Sequence, residues 1–110
     1  MPHYLAQVGY TSEGWQAVIR DPEGRQQMVR NAVEKLGGKV LHTWFAFGDY
    51  DVVGIAEMPD NVAAAALAMA VAAGGACRSV KTTPLLSTAE ALDAMKKAGQ
   101  SGYRAATAGQ

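Results

Sequence analysis

Apolar and polar positions alternate from His3 to Tyr10, with Tyr4, Ala6, Val8 and Tyr10 set against His3, Leu5, Gln7 and Gly9. That period of two predicts a first β-strand. Thr11 or Ser12 then caps a helix expected to carry Trp15, Val18 and Ile19 inward. The segment "RDPEGR", residues 20–25, interrupts it, and Asp21 as cap with Pro22 at the first helical position starts a second helix. Met28, Val29, Ala32, Val33 and Leu36 recur there at helical spacing until Gly37 and Gly38 end the run. Two β-rich runs follow, "KVLHTWFAF" and "YDVVGIAEM", separated by Gly48-Asp49. Glycine first in a two-residue loop is what a type II′ hairpin requires. Pro59 stops the third strand and Asp60 caps an Ala-rich helix over residues 61–73. A fourth strand is expected over residues 77–86. Ser87 and Glu90 in "STAE" then form a capping box for a last helix, with Leu92 and Met95 expected to pack back on the domain and Gly99 as its stop.

The order βαββαβ plus a terminal helix predicts an α+β, ferredoxin-like domain over residues 1–99: a four-stranded antiparallel sheet with its main helices on one face. Residues 100–110 are small and polar and read as a mobile tail. Pro84 marks the fourth strand as an edge strand or a bulged one, which leaves its facing open.

A two-residue loop would pair Phe47 with Tyr50, Phe45 with Val52, Thr43 with Gly54 and Leu41 with Ala56, and these side chains would share the helix-covered face. The small residues of the third strand suit helices packing closely on top. The other face would carry Val40, His42, Trp44 and Ala46 opposite Asp51, Val53, Ile55 and Glu57. That set is too apolar for a wet surface, so a second subunit is expected to cover it, closing two sheets into a dimeric α/β-barrel around a lined cavity.

Charge and cysteine content narrow the classes. Ten basic and ten acidic residues balance to a formal net charge of zero, which offers nucleic acid no basic field. The Ala-rich helix has no charged residue between Asp60 and Arg78, yet it is too short to span a bilayer, so no membrane partner is expected. Cys77, the single cysteine, has no internal partner and reads as a small buried apolar side chain in a cytoplasmic protein. The start of the chain lacks the basic, apolar pattern of a signal peptide.

The stretch "GKVLHTWFAFGDYDVVGIAEMPD", with a Tyr-Thr strand end before it and an Ala-rich helix after it, resembles the GYD domain family, called after the triplet Gly48-Asp49-Tyr50. The resemblance covers roughly residues 3–96. It implies membership of the dimeric α/β-barrel group, which includes small cofactor-independent monooxygenases, chlorite-dismutase-like haem proteins and the ligand-binding domains of feast/famine regulators. The motif residues read as structural, so the resemblance implies fold and little chemistry.

Among the clustered acids, Asp49 is a turn residue and Asp60 a cap, while Asp51 is a hairpin-base carboxylate or a ligand contact. His42 and Glu57, diagonal across the hairpin, are the candidate catalytic pair: their side chains can meet over roughly 7 Å, with His42 as base and Glu57 orienting it. Asp51 lies too far along the strand to serve His42, at about 13 Å. Gln7, Trp44, Asp51 and His3 are the candidate ligand-binding residues, Trp44 as a flat wall for an aromatic ligand. No dense ligand-spacing motif supports a metal at His3, His42 and Glu57, and no glycine pattern fits a phosphate loop or a dinucleotide fingerprint. The identity of any cofactor stays open. Three functions stay open: a homo-oligomeric small-molecule-binding or sensing module, a cofactor-independent monooxygenase-like enzyme, and a structural or scaffold subunit.

Overall fold

Side-chain caps punctuate the chain where the sequence places them. Thr11 accepts a hydrogen bond from the Gly14 N–H at 3.0 Å, Asp21 from Gly24 at 3.1 Å and Asp60 from Ala63 at 2.8 Å. Ser87 and Glu90 close a reciprocal box, at 3.1 Å from the Glu90 N–H and 2.8 Å from the Ser87 N–H. The elements so delimited, in a computed structural model that describes residues 1–104 and 106, are β1 (His3–Tyr10), α1 (Ser12–Arg20), α2 (Pro22–Lys35), β2 (Lys39–Phe45), β3 (Val52–Glu57), α3 (Asn61–Ala73), β4 (Cys77–Leu85) and α4 (Thr88–Gly99). The tail expected to be mobile falls partly outside the described residues, at 105 and 107–110. No helix among those described is long and apolar enough to cross a membrane.

The four strands form one antiparallel sheet in the order β2-β3-β1-β4, the ferredoxin-like topology. Pro84 sits in β4, an edge strand, where its missing N–H leaves no interior ladder bond unmade. The register fixes the facing of β4: Val80, Thr82 and Pro84 stand opposite Val8, Ala6 and Tyr4, while Lys81 stands opposite Gln7.

Two details of the hairpin differ from expectation. Phe45 does pair with Val52 and Thr43 with Gly54, but Leu41 is the extra residue of a bulge, so Val40 takes its place opposite Ala56. Since one inserted residue flips the side-chain alternation, Val40 moves to the helix-covered face, where it packs against the core. The loop is also wider than a type II′ turn. The last ladder bond runs from the Ala46 N–H to the Asp51 carbonyl at 2.8 Å. Among the described residues only Gly37, Gly75 and Gly102 have positive φ, so Gly48 does not adopt the conformation that turn demands.

The core is small and lies toward one end of the sheet. Tyr4, Val33, Met58 and Ala64 are buried together, with Leu36, Val40, Ala63 and Leu67 packed around them. The Tyr4 hydroxyl donates to Asn61 Oδ1 at 2.7 Å, tying β1 to the first turn of α3. Val18 is buried and Trp15 meets Tyr10 edge-on at 5.2 Å, but Ile19 is 74% exposed. The stripe that α1 turns inward takes in Val18, and Ile19, about 100° further round the helix, falls outside it.

The last helix corrects a second packing expectation. Leu92 and Met95 are 54% and 66% exposed, and α4 does not fold back on the domain. Only the two-residue link Leu86-Ser87 separates it from the end of β4. The radius of gyration, 17.7 Å, accordingly exceeds the roughly 13 Å of a compact domain of this size.

Candidate functional site

The widened hairpin loop brings Asp51 under the end of β1. Its backbone N–H donates to the Val8 carbonyl at 2.8 Å, and its Oδ2 accepts from the Tyr10 N–H at 2.8 Å. Arg78 reaches across from β4, 3.7 Å from the same oxygen and 3.1 Å from the Asp49 carbonyl. Asp51 is 8% exposed, and it joins the hairpin, β1 and β4. Its carboxylate is therefore taken up by the protein's own donors, the hairpin-base position.

The open sheet face holds the other residues singled out from the sequence, but it pairs them differently. Glu57 stands opposite His3, and the two side chains approach to 3.6 Å. His42 stacks on Trp44, with ring centroids 5.5 Å apart at 22°. His42 and Glu57 are not brought together, because Glu57 turns toward its direct partner on β1. Gln7 lies between Val53 and Lys81 in register. Trp44 is 52% exposed, so this face offers an aromatic surface and not an enclosed pocket within one chain. Among the described residues no three His, Cys, Asp or Glu side chains converge as a metal ion would require.

A large, partly open cavity lies on the other side of the sheet, between α2, α3 and the strands. It has a volume of about 500 Å³, within the usual range for small-molecule sites. Its origin is legible in the residues around it. Ala6, Gly54 and Ala56 form the floor, and Ala32 of α2 with Ala68 and Ala70 of α3 stand on the walls. Small side chains on three sides cannot fill the gap that Met58, Val33 and Tyr4 fill at the core end. Met28, Val29, Leu67 and Val71 complete an apolar wall. The small residues of β3 had suggested close helix packing; with an equally small α3 opposite, they leave a cavity instead. The pairing of a Gly/Ala floor with an Ala-rich helix was the signal for it.

Polar groups gather at the end nearest the hairpin: Tyr10, Arg25 and Cys77. Burial pushes the Tyr10 phenol above its ordinary value, with the neighbouring Cys77 as the next cause. Burial likewise raises the Cys77 thiol, an effect that the Arg25 charge partly offsets. Both groups are thus held in their neutral, proton-bearing forms near neutral pH. Of His3, Gln7, His42, Trp44, Asp51 and Glu57, only His42 borders this cavity. Arrangement and composition together suit the retention of a mostly apolar molecule, with a few convergent polar groups to orient it.

In comparison with known families, residues 4–95 match the GYD domain. No curated protein matches the chain.

Proposed function

The chain belongs to the GYD domain family, and from that premise we propose that it is a homo-oligomeric small-molecule-binding module whose ligand occupies the cavity between α2, α3 and the sheet. The observation that carries this reading is the cavity itself: about 500 Å³ of apolar space with its polar groups collected at one end. Binding is favoured over catalysis because the expected His42–Glu57 pair is not assembled: His42 stacks on Trp44, while Glu57 is engaged by His3 on the opposite face of the sheet from the cavity. The open sheet face serves as the subunit interface in this reading. Leu5, Val53 and Ile55 share it with an exposed Trp44, a patch that gains most by pairing with its own copy. A lone free cysteine fits the reducing environment of the cytoplasm.

Fluorescence of N-phenyl-1-naphthylamine, an apolar dye that brightens in dry pockets, tests the assignment. Wild type and Trp44→Ala should both enhance it, and Ala68→Phe, which fills the cavity, should not. Enhancement unchanged by Ala68→Phe, or abolished by Trp44→Ala alone, would move the site to the sheet face and overturn the proposal.

A further inference from the structure

We infer that the ligand of this cavity is a monocarboxylate with an aliphatic or aromatic body, its carboxylate docked on Arg25. The inference rests on the cavity reading above and adds the chemistry of the ligand.

Arg25 is the only ionisable side chain of fixed charge among the residues lining the cavity, and no Asp or Glu lines it. It also borders the smaller adjoining space of about 60 Å³ between α1, α2 and the sheet, which Arg30 shares. A ligand anion at this end therefore meets the charge of Arg25, and the nearest carboxylate, Asp51, whose charge Tyr10 feels, stands behind the lining, held by the Tyr10 N–H and faced by Arg78. Among the described residues, no acidic side chain lies within ion-pairing distance of Arg25. Its one side-chain hydrogen bond runs from Nη1 to the Met28 thioether at 3.4 Å, a weak acceptor that leaves most of the guanidinium's donors available. Arg25 is partly buried as a residue, and a guanidinium whose donors are mostly free matches a carboxylate in both charge and geometry.

The neighbours agree with a single negative charge. Tyr10 and Cys77, at the same end, are kept protonated by burial and so do not repel an anion. The remaining lining offers only the hydroxyls of Thr43 and Thr82, since the His42 ring lies on the other face against Trp44. That is too little to satisfy a polyol or a multiply charged phosphate ester, whose unpaired polar groups would be costly to bury. An amine head would face Arg25 directly. What is left is a long or flat apolar body carrying one carboxylate.

Displacement of the naphthylamine dye by octanoate, 1-octanol and octylamine, on wild type, Arg25→Met, Arg25→Lys and Ala68→Phe, tests this. Octanoate should bind wild type more tightly than octanol, and octylamine least. Arg25→Met should weaken octanoate about tenfold to a hundredfold, the usual worth of a charge-assisted hydrogen bond, and leave octanol unchanged. Arg25→Lys, which keeps the charge and loses the fork, should fall between wild type and Arg25→Met for octanoate, and unchanged octanol binding by both variants separates a lost docking group from a lost fold. Octanoate and octanol binding alike, with both blocked by Ala68→Phe, would overturn the carboxylate assignment while the cavity reading stands. Octanoate displacement untouched by Ala68→Phe would overturn both. Failure of octanoate to displace bound dye would overturn the carboxylate assignment alone.

Discussion

The Asp51 carboxylate accepts the backbone N–H of Tyr10 at 2.8 Å, joining the base of the β2–β3 hairpin to the last residue of β1. Asp51 is 8% exposed, so truncation leaves the part-buried Tyr10 N–H without its acceptor and removes the carboxylate 3.7 Å from Arg78, which stays solvated. Asp51→Ala should cost about 1.5–3 kcal/mol, the range for hydrogen bonds to charged groups. Asp51→Asn, which keeps an acceptor without the charge, should cost less. Urea unfolding of both variants beside wild type measures the difference, and equal, near-zero losses would remove the latch from the account.

The open sheet face should hold the subunits together. Trp44→Lys places a charge beside Leu5, Val53 and Ile55 at the proposed interface, where an unpaired charge is poorly tolerated. Sedimentation should find wild type as a dimer or larger assembly and Trp44→Lys as a smaller species. A monomeric wild type would contradict the oligomer.

Helix α4 should melt independently of the domain. With Leu92 and Met95 exposed, its anchorage is local, and the Ser87–Glu90 box is a large part of it. Hydrogen bonds from the Ser87 N–H and side chain hold the Glu90 carboxyl below its ordinary value. A depressed folded value means that this contribution is present above the unfolded pKa and lost as pH falls through the folded one. Backbone NMR shifts of residues 88–99 should thus lose helicity in acid before those of the sheet, and Glu90→Gln should flatten that pH dependence.

Cys77 should react slowly for a thiol. Burial raises its pKa, and the Arg25 charge opposes the rise, so the thiolate appears only at higher pH than for an ordinary cysteine. Iodoacetamide rates against pH should show a raised midpoint, moved further up by Arg25→Met. A midpoint indifferent to Arg25 would place the two groups farther apart than they are here.

Elements, caps and topology were legible in the sequence because each is set by local chemistry: Thr11, Asp21, Asp60 and Ser87 all cap as their residue types dictate. The outward face of His42 and Trp44 was legible too, because the hairpin register near Phe45 and Val52 follows the alternation. The Leu41 bulge was not, since an inserted residue in a strand carries no composition of its own, and Val40 went to the wrong face with it. Long-range packing decided the rest. Whether Leu92 finds the domain depends on the direction in which β4 releases the chain. Whether Gly54 and Ala56 draw helices close depends on what α3 presents opposite them, and Ala68 and Ala70 present too little. Arg25 drew no notice within "RDPEGR" because that segment reads as helix punctuation, and only the fold sets it at a cavity's end.

Native mass spectrometry of the protein purified from cells, wild type beside Ala68→Phe, tests the central claim most directly. The cavity account predicts an assembly in which wild type carries a small-molecule adduct that Ala68→Phe lacks, with the subunit number unchanged. An adduct retained by Ala68→Phe, or a wild-type assembly with no adduct, would contradict it.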